Sequence, residues 1–334
     1  MLVTCAGIYV VDFIAADLPK VAGPGEVAFT EAGIGMRIGG HSANVSIDLI
    51  KLGLRRGEVS STGAVGEDFL ARFVEETLTS NGVVARLQRV RGVETSKNLI
   101  LVVKGEDRRF HVDVGANFYL DPEHVKSVLK EERPLIFYVG AAGLLGKFDE
   151  ELKGVLAEAK RMGSATFVDP IRPYKRGWDF LVESGELIDV FHCNDIEAES
   201  MTGERGLEAS LSALMDAGIK LAVVSLGEEG LAAGMAGEKI SMPAFKVRAV
   251  DPTGAGDAFC AGMIYKLIKL KGEGLKEGLK LDRGELIGVL LEGEAAGAAC
   301  VTGVGTTTAV TRGNVDSILA EQGARVLKEV KTLN

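Results

Sequence analysis

A chain of 334 residues, 46% hydrophobic and 25% charged, can build one large α/β domain with an appendage, or two domains, and is not composed like a disordered protein. Its net charge of −9 and the lack of any basic tract speak against a nucleic-acid partner, so an anionic ligand must be met by local amides or a metal. No apolar run approaches the ~18 residues a membrane span needs, no signal segment opens the chain, and Cys5, Cys193, Cys260 and Cys300 form no Cys-x-x-Cys pair; a cytoplasmic protein with buried, reduced thiols is expected.

Residues 2–7 read as a short buried strand ending in glycine. Asp12 follows in the connection just past that strand, where open α/β sheets meet their ligands. A loop aspartate that satisfies backbone amides is the plainer reading. Residues 13–38 are rich in Gly, Pro and Ala, with β-like pieces at 27–30 and 34–38, and do not read as a βαβ unit. Gly39-Gly40-His41-Ser42-Ala43-Asn44 opens a helix that stops near Gly53. The glycine pair lets backbone approach a ligand, and Asn44 offers both a donor and an acceptor. Residues 59–66 predict a strand leading to an amphipathic helix through about residue 80. Residues 96–113 predict a strand–turn–strand hairpin, part of a sheet small enough to need cover on one face. Gly115-Ala116-Asn117 reads as a turn.

A strand over 135–140 precedes a segment that only superficially suggests a Walker A loop. Its spacing is too long, and Phe148 stands where Ser or Thr would meet Mg²⁺. Another strand ends at Asp169-Pro170-Ile171-Arg172, where Arg172 could meet an anion or form a surface ion pair. The strand over 190–194 delivers Asn194, which shares the start of the next helix with Glu197, an acidic first turn that suits the helix dipole. Residues 222–230 are a strand and a glycine-punctuated turn. A hairpin over 231–243, a charged solvated excursion over 272–282, a helix of small residues over 285–300 and a loop over 301–309 complete the pattern.

Within 250–263, Gly254-Ala255-Gly256 can turn sharply before an apolar helical run that includes Ala258, Phe259, Met263 and Leu267. The amides there have no intrahelical partner and sit at the positive end of a helix dipole, a place to hold an anion. Asp257 in the first turn could take a proton from a hydroxyl attacking a phosphate held by those amides. A capping Asp after a glycine turn is the plainer reading. Alternation of strands and helices from residue 2 to about 320 argues a mainly parallel, doubly wound sheet.

Asp251-x-Thr253-Gly254-Ala255-Gly256-Asp257 resembles the C-terminal signature of the ribokinase (PfkB-type) family of carbohydrate and nucleoside kinases, with Pro252 in place of a commoner Thr or Ser. Gly39-Gly40-x-x-x-Asn44 resembles its N-terminal signature; Asn194-x-x-Glu197 and Ser225-x-Gly227-x-x-Gly230 match further pieces in the right order. The resemblance covers nearly the whole chain. It implies a ribokinase-like three-layer αβα fold, with the main domain over 1–12, 39–95 and 114–334. The nucleotide half begins near 190, and 13–38 with 96–113 form a small β lid that closes over substrate or pairs with a second subunit. It implies transfer of the γ-phosphate of ATP to a sugar hydroxyl. Asp257 is then the base, and the amides of Gly254, Ala255 and Gly256 are the anion hole. Asp12, Gly39, Gly40, Asn44 and Asn117 meet the sugar. Asn194, Ser225, Gly227, Gly230, Thr302 and Gly305 meet ATP. Glu197 holds Mg²⁺ through water, and Asp251 and Thr253 suit a monovalent cation such as K⁺. The segment from Asp169 is one residue shorter than the family's Asp-Pro-Asn-x-Arg and lacks its Asn, so a nucleoside or inositol acceptor stays open. A non-catalytic sugar sensor is a further alternative, against which Asp257, Asn194 and Glu197 speak. A dinucleotide oxidoreductase fits poorly, because Gly33-x-Gly35 and Gly303-x-Gly305 lack the third glycine.

Overall fold

The computed structural model describes residues 1–106 and 108–333. In chain order the strands are β1 (Val3–Gly7), β2 (Val10–Leu18), β3 (Ile34–Gly39), β4 (Val59–Val65), β5 (Val84–Arg89), β6 (Lys97–Val103) and β7 (Arg109–Asp113). They continue with β8 (Ile136–Ala142), β9 (Ala165–Pro170), β10 (Val190–Asn194), β11 (Leu221–Ser225), β12 (Leu231–Met235), β13 (Glu238–Met242) and β14 (Lys331–Leu333).

The large sheet has the order β14-β13-β12-β11-β10-β9-β8-β1-β4-β5. From β5 to β11 every neighbouring pair is parallel; β12, β13 and β14 add an antiparallel edge. β1, β4 and β8 are buried along their whole length, as strands covered on both faces must be, and they read as apolar and small-residue runs rather than as alternation. One covering layer contains the helices His41–Lys51, Ala255–Lys271 and Arg283–Val301; the other contains Pro122–Glu132, Leu152–Arg161 and Leu207–Asp216. All four cysteines are free and buried. Among the described residues no helix is long and apolar enough to cross a membrane.

A separate four-stranded sheet has the order β3-β2-β6-β7. Here the structure moves a boundary. β2 begins at Val10, so Asp12 lies inside a strand of the small sheet and not in the connection after β1; it faces Arg37 on one side and Asn98 on the other. Residues 27–30 form no strand: Val27 and Phe29 are exposed and find no ladder partner. β14 was not foreseen, because three residues are too few to show a period; it forms by pairing with β13.

Candidate active site

Two directions of strand order diverge at β1: toward β4 and β5 on one side, toward β8 through β11 on the other. Open α/β sheets bind ligands in the crevice at the carboxyl ends of strands at such a point. A cavity of about 700 Å³ lies here, and the small sheet roofs it with Asp12, Asn98, Ile100, Phe110 and Val112.

Gly254 precedes the helix Ala255–Lys271 with φ of 83°, and a Cβ there would come within 2.8 Å of the Thr306 side chain. Only glycine meets both demands without strain. The turn leaves residues 254–256 lining the cavity with Asp257 beside them. Asp257 is 8% exposed. Its Oδ2 accepts the Asn44 Nδ2 hydrogen bond at 2.8 Å, while its Oδ1 is buried with no hydrogen-bond partner among the described residues. His41 Nε2 lies 4.0 Å from that Oδ1. Burial pushes the Asp257 carboxyl above its ordinary range, with the His41 ring pulling the other way.

Asn44 stands in the first turn of the helix His41–Lys51. The helix starts at Gly40, whose φ of 95° and 2.4 Å approach of a would-be Cβ to the Ile8 carbonyl again demand glycine. Thr306 Oγ1 donates to Asn44 Oδ1 at 2.8 Å, so the amide is held at both ends. Gly39 ends β3 against the Asp12 carboxylate. Asp12 accepts from Asn98 Nδ2 at 3.2 Å; burial raises its pKa to about 6, the Asn98 bond opposing. Asn117 also borders the cavity, but its side chain is spent on Tyr9, accepting from the backbone N–H at 3.0 Å and donating to the carbonyl at 2.8 Å. It fixes the β1–β2 connection.

At the other end of the cavity, Asn194 and Glu197 form a reciprocal capping box on the helix Asp195–Thr202. That occupies Glu197 Oε2 and leaves Oε1. Burial raises the Glu197 pKa, its bond from the Asn194 N–H opposing. Ser225 and Gly227 line the same end. Gly305 lies on a second, adjoining cavity, whereas Gly230 closes the turn between β11 and β12 through a bond to the Gly227 carbonyl. The Thr302 hydroxyl caps Ala299 at the end of a helix. Arg172 is exposed; its neighbour Ile171 lines the cavity instead.

Sequence reading missed a buried chain behind this end. Tyr138 donates to Asp169 Oδ2 at 2.9 Å, Asp169 Oδ1 meets His192 Nδ1 at 3.0 Å, and His192 Nε2 meets Ser225 Oγ at 3.2 Å. The His192 ring stacks on Phe259 in the helix that carries Asp257. Burial opposes ionisation of Asp169, but the bond and charge of His192, with His41 and the Tyr138 bond, outweigh it and hold the carboxyl below its ordinary range. The available signal was position: Asp169 and His192 stand near the carboxyl ends of adjacent parallel strands.

Asp251 departs from expectation. Its Oδ1 accepts from Thr253 N at 3.0 Å, Thr253 Oγ1 at 2.7 Å and Arg108 Nη1 at 2.6 Å; its Oδ2 accepts from Gly305 N at 3.1 Å. Four donors, one of them cationic, take this carboxylate. In this arrangement Asp251 and Thr253 do not fit a monovalent cation.

The sequence profile of the pfkB family carbohydrate kinases matches residues 1–312. The chain belongs to that family. It is thus a kinase, a phosphotransferase acting on a carbohydrate hydroxyl. It is 27% identical to the aminoimidazole riboside kinase of Salmonella typhimurium over 81% of this chain and 84% of that protein. It is 27% identical to the ribokinase of Haemophilus influenzae over 76% of this chain and 81% of that protein. The architecture is ribokinase-like: the fructokinase of Xylella fastidiosa, solved with bound ATP, superposes with a TM-score of 0.79 at 21% identity, covering 96% of this chain and 99% of that one.

Proposed function

We propose that this pfkB-family kinase transfers the γ-phosphate of ATP to a sugar hydroxyl, with Asp257 as general base and the amides of Gly254, Ala255 and Gly256 as anion hole. One observation carries the reading: Asp257, which lines the cavity with Asp12 and Asn44, has a buried Oδ1 with no hydrogen-bond partner among the described residues, beside a helix start whose Ala255 N–H makes only a long 3.3 Å bond to the Pro252 carbonyl. A hydroxyl placed there gives its proton to Oδ1 as its oxygen attacks phosphorus. The amides of residues 254–256 stabilise charge on the phosphoryl oxygens, and Asp12 accepts from other hydroxyls of the acceptor. The nucleotide crosses Asn194, Ser225 and Gly227 toward the 302–306 loop. Mg²⁺ suits the Glu197 end, where one carboxylate oxygen remains for a water-mediated contact, and when bound it neutralises phosphate charge.

A nucleoside is the second acceptor reading. The apolar wall that Ile100, Phe110 and Val112 present beside Asp12 favours an acceptor bearing a flat apolar group next to its sugar. The test is ADP release measured against a panel of sugars, polyols and nucleosides, with Asp257→Asn alongside. Turnover that survives that substitution would remove Asp257 as the base, and silence across the panel would remove the reading.

A further inference from the structure

We infer that Arg108, carried on the small sheet, supplies the positive charge that Asp251 requires, so that placing this sheet over the cavity takes the role a bound monovalent cation would otherwise have in setting the anion hole. The inference rests on the reading of residues 254–257 given above.

Asp251 organises both walls of the anion hole. Its Oδ1 fixes the N–H and hydroxyl of Thr253, the residue before Gly254. Its Oδ2 fixes the N–H of Gly305. The next residue, Thr306, donates to Asn44, and Asn44 donates to Asp257. A partly buried carboxylate in this position needs a compensating charge. Either a small cation or a guanidinium can provide it, and a guanidinium is within reach: Arg108 Nη1 donates to Asp251 Oδ1 at 2.6 Å from a residue 143 positions away in the chain. Burial would raise the Asp251 pKa, but Thr253, Gly305 and Arg108 together hold it below the ordinary range.

Arg108 immediately precedes β7, in the sheet whose inner surface roofs the cavity. Its guanidinium also lies over the Phe110 ring, 5.7 Å from the centroid. Arg108 therefore reaches Asp251 only with the sheet down. A guanidinium keeps its charge at every working pH, so the contact reports sheet position and not acidity. Arg108 is in this sense a positioning residue: it acts on the reacting groups through Asp251.

The test compares wild type, Arg108→Ala and Arg108→Lys in buffers whose monovalent cation is K⁺, Na⁺ or tetramethylammonium. Turnover is measured together with the calorimetric affinity for a non-hydrolysable ATP analogue. Wild type should bind the analogue equally in all three buffers. Arg108→Ala should lose on the order of tenfold in affinity in tetramethylammonium, the scale of one charged hydrogen bond, and recover it on addition of K⁺ or guanidinium; Arg108→Lys should stay close to wild type. Wild type that needs K⁺ as strongly as the Ala variant would overturn the inference, and so would an Ala variant indifferent to every cation. Asp257→Asn separates the two readings. Analogue binding that stays cation-independent in that variant while turnover is lost supports both. Loss of analogue binding in Asp257→Asn would overturn the reading of residues 254–257, whereas the inference on Arg108 stands or falls on the cation dependence of wild type and Arg108→Ala.

Discussion

Asn44 Nδ2 donates to Asp257 Oδ2 across 2.8 Å, joining residues 213 positions apart. Because Thr306 holds the other end of the Asn44 amide, the amide cannot turn over without breaking both bonds. One oxygen of Asp257 is thereby fixed; the other is buried with no hydrogen-bond partner among the described residues, on a side chain that lines the cavity. For the base role proposed above, a carboxylate held before substrate arrives is worth more than the same group on a mobile side chain, because the geometry is already set.

Replacing Asp257 by Asn should reduce turnover by about 10²- to 10⁴-fold, the usual contribution of a positioned base. The melting temperature should stay the same or rise. The folded-state pKa of Asp257 is raised by burial, so the stability its protonated form would retain is lost as pH rises through that pKa, and at neutral pH the carboxylate is a net cost that Asn removes. A cooperative melt at reduced temperature would show that the carboxylate is structural instead.

Asn44→Ala removes a donor that favours the charged form of Asp257. The acid limb of the kcat profile should therefore move to higher pH, and turnover at neutral pH should fall, while a purely structural effect would lower kcat without moving the limb. The comparison is a pair of pH–rate profiles for wild type and variant.

Asp12 has a pKa of about 6. Above that value it is a carboxylate able to accept from acceptor hydroxyls, the role proposed for it; below it, it carries a proton and loses that capacity. The KM for the acceptor should rise as pH falls through about 6, with the KM for ATP unchanged over the same range. Asp12→Asn should raise the acceptor KM at neutral pH and abolish its pH dependence.

Gly254→Ala places a side chain at positive φ against Thr306. The expected loss of stability is about 1–3 kcal/mol, read from denaturant midpoints. Nucleotide affinity should fall more than acceptor affinity, because the proposed mechanism sets the amides of residues 254–256 against the donor. Equal losses for both ligands would place the anion hole elsewhere.

Much of this protein is local and was legible in one dimension. Glycine before a helix, an Asp in its first turn and fully apolar strand runs each follow from the conformational freedom or burial of a few neighbouring residues. Those pieces determined the fold class, the helix start at Gly254–Asp257 and the pairing of Asn194 with Glu197. Strand membership of Asp12 was not local, because a residue joins a ladder only when partners such as Arg37 and Asn98 arrive from elsewhere. The chain Tyr138–Asp169–His192–Ser225, the grip of Thr306 on Asn44 and the reach of Arg108 to Asp251 were likewise decided only in three dimensions. Hydrogen bonds between side chains depend on angstrom-scale proximity across the sheet, and spacing along the chain carries no record of that.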